Sequence, residues 1–331
     1  MKALKIIGIV LLILVALFFI IALCLPSKIH VEESLVINKP ASLIFKQVNN
    51  FQNYPAWFPW LELDPEMTNT YEGPKMGVGA KSIWTSKKNG DGNMTITESL
   101  PYKKVTSTLD FGQRGTATSD FLFAEEAGGT KVIWKLDIPS LSYPVERYFG
   151  LMMPGMMKPV FIKGLENLKK VTEAMPDPPA LQLTQLPGKP VVSVIDSCNW
   201  ADIEMKMGQM FGEMMTLQKS AKFEFAGPPM SLYHKWDEAN QFTVFENCVP
   251  VDREVVGKGR VKYKILPATR AVMGTHFGAY DQTMYLYNAF DEFIKDFGLE
   301  ENGGPIEEYI TDPMTEPDTA KWQTNIYFPV K

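Results

Sequence analysis

The amino end of the chain is uniformly apolar. Ile6 to Leu25 (IIGIVLLILVALFFIIALCL) is a run of 20 residues without a charge, set between Lys5 and Pro26. As a helix rising about 1.5 Å per residue, it spans about 30 Å, the thickness of a bilayer's hydrocarbon core. Past Pro26 the pattern shortens to a period of two. His30 to Ile37 alternates, and Asn38-Lys39-Pro40-Ala41-Ser42 opens a short helix through Phe45 and Val48. Segments punctuated by glycine then predict strands at Lys81 to Thr85, Asn93 to Leu100, Lys103 to Phe111, Thr116 to Ala124 and Lys131 to Ile138. In the last of these, Val132, Trp134, Leu136 and Ile138 share an apolar face, while Lys131, Lys135 and Asp137 charge the other. Phe161, Leu165, Leu168, Val171 and Met175 recur at spacings of three and four, which predicts a closing helix. Prolines crowd from Pro176 to Pro190 directly after it and mark a domain boundary.

The remaining part repeats itself. Leu181–Pro187 (LQLTQLP) aligns with Val261–Pro267 (VKYKILP) at an offset of 80 residues, and Val249-Pro250-Val251 aligns with Phe328-Pro329-Val330 at 79. Between these anchors Ile203, Met207, Met210, Met214 and Leu217 mark one helical face, and Thr283, Tyr287, Phe290, Ile294 and Phe297 mark its counterpart. Gly227-Pro228 matches Gly304-Pro305, with Tyr233 and Tyr309 downstream. Each copy reads strand, helix, strand, strand. The expected architecture is α+β, with an anchor over 1–28, one domain over 29–175 and a duplicated domain over 176–331.

Composition narrows the function. The 331 residues suit two domains plus an appendage, and 45% hydrophobic residues supply full cores. With 33 basic against 38 acidic side chains the net charge is −5, so no basic face for nucleic acid is expected. Cys24, Cys198 and Cys248, like His30, His234 and His276, are too scattered for a zinc cluster, and no metal or other cofactor is expected. Cys198 and Cys248 are left as a pair that only geometry can join. Lys2 and Lys5 precede the apolar run, whereas Lys28 is soon followed by Glu32 and Glu33, so the positive-inside rule puts the amino end in the cytoplasm and the domains outside, in the periplasm. A cleaved signal peptide is the alternative. Its apolar region is usually about 7–15 residues, shorter than this one, and Ala22-Leu23-Cys24 is a poor cleavage site.

Two resemblances follow from particular segments. The element order of the first domain, with VNNFQNYPAWFPW at Val48–Trp60 and GLENLKK at Gly164–Lys170, resembles the START-like polyketide cyclase and lipid-transport superfamily. That resemblance implies a curved sheet around a long carboxy-terminal helix, with an apolar ligand between them. Met152, Met153, Met156 and Met157, expected just before that helix, read either as a cavity lip or as core filling, and Trp57, Trp60, Trp84 and Trp134 carry the same two readings.

The second domain, through THFGAY at Thr275–Tyr280, Glu307-Glu308-Tyr309 with Asp312-Pro313, and TNIYFPV at Thr324–Val330, resembles the GyrI-like effector-binding domain. The resemblance implies a groove between the two copies that takes small, often cationic amphiphilic molecules with aromatic walls and a buried carboxylate. It also implies an acid in the last strand, where this chain has Asn325. The repeat transfers that role to Glu246, four residues before Pro250 as Asn325 is four before Pro329. The candidate ligand-binding residues are Trp200, Glu246, Tyr280, Glu308, Tyr309 and Asn325, with no catalytic residue assigned. His276 reads as structural, or as a base beside Glu308. The expected activity is membrane-anchored binding of a hydrophobic or cationic amphiphilic small molecule. The alternatives are a hydrolase of strained or electrophilic compounds, in which Glu246 or Glu308 positions water, and a scaffold whose cavities are filled.

Overall fold

The computed structural model describes residues 2–331 and divides into two compact units between Asp177 and Pro178. The first unit begins with helix α1 (Lys2–Cys24), strand β1 (Ile29–Ile37), helix α2 (Ala41–Val48) and the short helix α3 (Pro59–Leu63). Six strands follow: β2 (Thr68–Glu72), β3 (Lys81–Thr85), β4 (Gly92–Leu100), β5 (Lys104–Asp110), β6 (Thr116–Glu126) and β7 (Gly129–Ile138). Helix α4 (Val145–Glu173) closes the unit. The sheet is antiparallel in the order β1-β7-β6-β5-β4-β3-β2. Every neighbour is adjacent in sequence except β1, which pairs with β7 from Ile29↔Ile138 to Ile37↔Thr130. β2 escapes sequence reading because TNTYE has no apolar face, and it is mostly exposed.

Between this sheet and α4 the space is filled by rings. Trp134 lies flat on Phe161, with centroids 4.2 Å apart and planes at 7°. Phe121 stacks on Trp134, while Trp57 and Trp60 meet it edge-on. The closeness depends on Gly164, where an added Cβ would stand 2.7 Å from the Trp134 ring and 3.0 Å from Pro59. Of the two readings of the tryptophans, Trp57 and Trp134 take the core one, being fully buried. α4 begins at Val145, earlier than expected, and carries Pro154 and Pro159 in its interior. The four methionines therefore sit within the helix rather than before it. Met153 and Met157 pack on the core; Met152 and Met156 are exposed.

The second unit contains β8 (Leu181–Leu186), β9 (Lys189–Asn199), α5 (Ile203–Ala221), β10 (Met230–Asp237) and β11 (Phe242–Pro250). The second copy supplies β12 (Lys262–Leu266), β13 (Thr269–Phe277), α6 (Met284–Asp296), β14 (Ile306–Tyr309) and β15 (Gln323–Pro329). All eight strands form one sheet, β12-β9-β11-β10-β14-β15-β13-β8. The copies join at β10 and β14, and the first strand of each is exchanged: β8 pairs with β13 and β12 with β9. This exchanged strand is one more per copy than the periodicity alone shows. Met210, Met214 and Leu217 of α5 pack on Val192, Val194 and Phe245, and Leu286, Phe290 and Ile294 of α6 on Val272, Ile326 and Phe328.

Directly paired residues of an antiparallel ladder share a face. Asn247↔Val194 and Ser231↔Asn247 carry the α5 face to β10, Ser231↔Glu307 carries it to β14, and Glu307↔Ile326 reaches the strand under α6. Both helices therefore cover the same side of the sheet. The other side holds a separate apolar cluster that includes Val191, Met230, Cys248, Leu266 and Tyr327.

Cys198 and Cys248 are both buried and free. Cys198 pairs with Thr243 and Cys248 with Ser193, so five residues of strand, about 17 Å, separate their positions. A disulfide needs Cα atoms within about 7 Å, and these strands do not bring the thiols together.

Candidate functional site

The pleat separates the predicted site residues into two groups. Glu246, Glu308 and Asn325 lie on the side away from the helices: Glu308 pairs with Asn325 and with Met230, and Glu246 with Leu232. Tyr309 pairs with Thr324 on the helix side, where Tyr280 meets it ring to ring at 5.4 Å. The groove residues were expected to converge, and Glu246, Tyr280 and Tyr309 do not.

Both acids on the far side are held by basic partners. Glu246, 1% exposed, accepts from Lys264 Nζ at 2.6 Å and meets His234 Nε2 at 3.1 Å. Burial alone would raise its pKa, but hydrogen bonds from His234, Lys264 and Ser193 outweigh that and hold the carboxyl at about 2. Glu308 accepts from Lys189 Nζ on one oxygen and from the Tyr327 hydroxyl on the other, each at 3.0 Å. Burial, and then the charge of Glu308, push the Tyr327 phenol up to about 12, so it remains a donor. Asn325 Oδ1 accepts from Thr275 and Gln323. A hollow of about 170 Å³ opens on this side beside Lys189, Met230, Leu232 and Ile306. It is smaller than the roughly 300 Å³ at which ligand pockets begin.

On the helix side a different carboxylate takes the central place. Glu307, adjacent to Glu308 and therefore on the opposite face of β14, accepts three phenol hydroxyls. Tyr287 donates to Oε1 at 2.7 Å, and Tyr309 and Tyr233 donate to Oε2 at 2.8 and 3.2 Å. Among the described residues no ion pair forms on it. Burial first, and the Glu307 charge next, raise the Tyr233, Tyr287 and Tyr309 phenols well above their ordinary range, which keeps them protonated as donors.

Rings extend from this carboxylate in both directions. In the first copy, Tyr233 meets Trp236 edge-on at 5.8 Å, and Trp236 stacks on Trp200 at 4.6 Å. In the second, Tyr309 meets Tyr280, which lies 5.1 Å from Trp322. Trp236 and Tyr280 are exposed, so the array is open to solvent at both wings. Trp200 Nε1, Asn247 Nδ2 and Thr324 Oγ1 are buried there without a hydrogen-bond partner. Unsatisfied buried donors of this kind are rare in folded proteins.

Of the predicted residues, Trp200, Tyr280 and Tyr309 belong to this array. Glu307, Tyr233, Tyr287, Trp236 and Trp322 were not singled out. Strand alternation contained the signal: with Tyr309 placed in a groove, the acid two residues earlier shares its face and the acid beside it does not. His276 is fully buried, with Nδ1 at 3.2 Å from the Tyr285 hydroxyl and Nε2 at 3.0 Å from the Ala279 carbonyl. Its strand partner is Thr324, on the face opposite Glu308, so its role is structural.

Comparison with known families agrees with this architecture. Residues 28–173 match the family described as polyketide cyclase/dehydrase and lipid transport, and residues 180–331 match the GyrI-like small molecule binding domain. The chain carries both families' domains in that order, and both are of a type that binds small molecules. Curated protein sequences give no match. Among solved structures, the chain is similar to the EcmrR C-terminal domain, with 24% identity over 46% of this chain and 98% of that one and a TM-score of 0.41. It is similar to EcmrR in a DNA complex at 22% identity over 56% of this chain and 70% of that one, TM-score 0.44. A hydrolase from Listeria innocua aligns at 13% identity over 49% of this chain and 98% of that one, TM-score 0.35.

Proposed function

We propose that the second unit is a receptor for a cationic amphiphilic small molecule, bound on the helix-covered face with its positive charge at Glu307. The observation that carries this reading is the carboxylate's set of partners: three phenol hydroxyls and, among the described residues, no cation. Glu307 is half-buried; removing a carboxylate from water without a counter-charge is costly, and a ligand cation supplies one. Trp200, Trp236, Tyr280 and Trp322 offer ring faces whose cation–π contacts contribute about 0.5–2 kcal/mol each. Glu246 and Glu308 already have lysine partners, which favours binding over hydrolysis by either acid.

The test is a tryptophan-fluorescence titration of the full chain with tetraphenylphosphonium, beside the neutral triphenylphosphine oxide. The cation should bind more tightly than the neutral compound. Glu307→Gln should weaken the cation by roughly tenfold or more, the equivalent of losing one charged contact, and Glu246→Gln should not. Equal affinity for both compounds would remove the charge from the reading.

The same proposal includes the membrane. α1 provides 21 residues, Leu4–Cys24, that are long and apolar enough to cross a bilayer, and the flanking lysines favour a cytoplasmic amino end with both domains in the periplasm. Alkaline phosphatase fused after Lys331 should then be active in intact bacteria. A silent phosphatase together with a fluorescent cytoplasmic reporter at the same position would reverse the orientation.

A further inference from the structure

The first half of α4 carries an apolar face that the sheet does not use. Val145, Phe149, Met152 and Met156 follow one another at spacings of four, three and four, which places them in a single stripe along the helix. They are 55%, 63%, 61% and 64% exposed. The side facing the sheet is a different one, built on Gly150, Phe161, Leu165 and Leu168. Further along, the stripe's own positions become Lys163, Asn167 and Lys170. Along this stripe the helix is therefore apolar over its first three turns and polar from Lys163 on, with Ile162 exposed beside it. Exposed contiguous apolar surface of this kind marks a site of contact.

What borders the stripe identifies what covers it. The first turn of α4 is bound to the end of α1. Tyr148 stacks on Phe18 with centroids 4.8 Å apart and donates to the Phe18 carbonyl at 2.6 Å. Tyr143 donates to the Phe19 carbonyl at 2.9 Å, and Arg147 Nη1 to the Ala22 carbonyl at 3.2 Å. Ala22 lies in the last turn of α1, whose carbonyls have no partner within the helix. Arg147 thus caps α1 with a positive charge at the negative end of its dipole. Phe18 stands seven residues before Leu25, so Tyr148 reaches about 10 Å below the end of the apolar run. Arg147 binds at Ala22, only three residues or about 5 Å from that end, and arginine and tyrosine near the end of a span turn their polar tips to the membrane–water interface.

We infer that the amino-terminal half of α4 lies in the membrane interface, with Val145, Phe149, Met152 and Met156 immersed among lipid acyl chains. This rests on the reading of α1 as a membrane span. The occupant of the stripe is lipid, because the stripe begins at the turn of α4 that hydrogen bonds from Tyr143, Arg147 and Tyr148 fix to a helix that is itself apolar on every side. The first unit is then seated on the bilayer surface rather than suspended from it, and the polar continuation of α4 lifts away.

The experiment places an environment-sensitive fluorophore on introduced cysteines in the full chain, after Cys24→Ser and with the buried Cys198 and Cys248 replaced by Ala, reconstituted in phosphatidylcholine vesicles with and without spin-labelled lipids. The positions are Leu14→Cys in α1, Met152→Cys and Met156→Cys in the stripe, and Lys170→Cys on the polar continuation. A probe at 14 should be quenched by a deep spin label. Probes at 152 and 156 should lose most of their emission to a shallow label, and the probe at 170 should lose none. Quenching at 14 without quenching at 152 or 156 overturns the inference while leaving the membrane span intact. A blue-shifted but unquenched probe at 152 would assign the stripe to a second copy of the chain and equally overturn it. Loss of quenching at 14 removes the span and the inference together.

Discussion

Glu307 and Glu308 are consecutive, chemically identical and opposite in role. The pleat directs Glu308 to Lys189 and Tyr327, and Glu307 to three tyrosines under the helices. The sequence motif that drew attention to this segment was sound, but the choice between the two acids required the strand face. The same holds for Asn325, which stands where the family resemblance implies an acid and which the ladder pairs with Glu308, away from the ring array. Glu246, to which the repeat transfers the role implied at Asn325, is held by Lys264 and His234 and has a measurable signature. Its carboxyl titrates near 2 in the folded chain against about 4.3 when unfolded. The depressed value contributes stability that is present above pH 4.3 and lost as pH falls toward 2, on the order of 2 kcal/mol. Urea unfolding of the full chain should show the second unit weakening between pH 5 and pH 3, and Glu246→Gln should remove most of that acid dependence while lowering stability at pH 7. An unchanged acid limb in the variant would mean that its ion pair with Lys264 does not persist in solution.

The strands and helices with a regular apolar period were the most legible features. The alternation of β1 and β7 and the spacing of the α4 core residues both correspond to the observed faces. Two failures have physical causes. β2 has no alternating apolar face to signal a strand, Tyr71 being its one hydrophobic residue, and it is held at the sheet edge by pairing with β3 alone. The start of α4 was hidden by its two prolines, which ordinarily interrupt helices. The rings of Trp134 and Phe161 fill the part of the sheet–helix gap that they line. Trp134→Ala should accordingly destabilise the first unit by about 3–5 kcal/mol, read as a lowered unfolding temperature in calorimetry. It should leave tetraphenylphosphonium binding by the second unit unchanged. A neutral effect on stability would indicate that the rings are a mobile lining and not a core.

Taken together, the chain joins an apolar helix to a ring-filled START-like unit and a duplicated GyrI-like unit. The apolar helix at the amino end and the 80-residue offset are legible in the sequence, because each is a one-dimensional pattern. The exchange of β8 and β12 between copies, and the gathering of Glu307 with rings from both, depend on strand order, which periodicity does not encode. Those two features create the site: the junction of β10 and β14 brings Tyr233 of one copy and Tyr309 of the other to the same carboxylate. The most direct measurement is a crystal structure of the protein grown with tetraphenylphosphonium. The phosphonium should lie among Trp236, Tyr280 and Trp322, on the helix-covered face, with its positive centre nearer to Glu307 than to any other carboxylate. Density for the cation beside Glu246 or Glu308 instead, or none on either face at saturating ligand, would contradict the assignment.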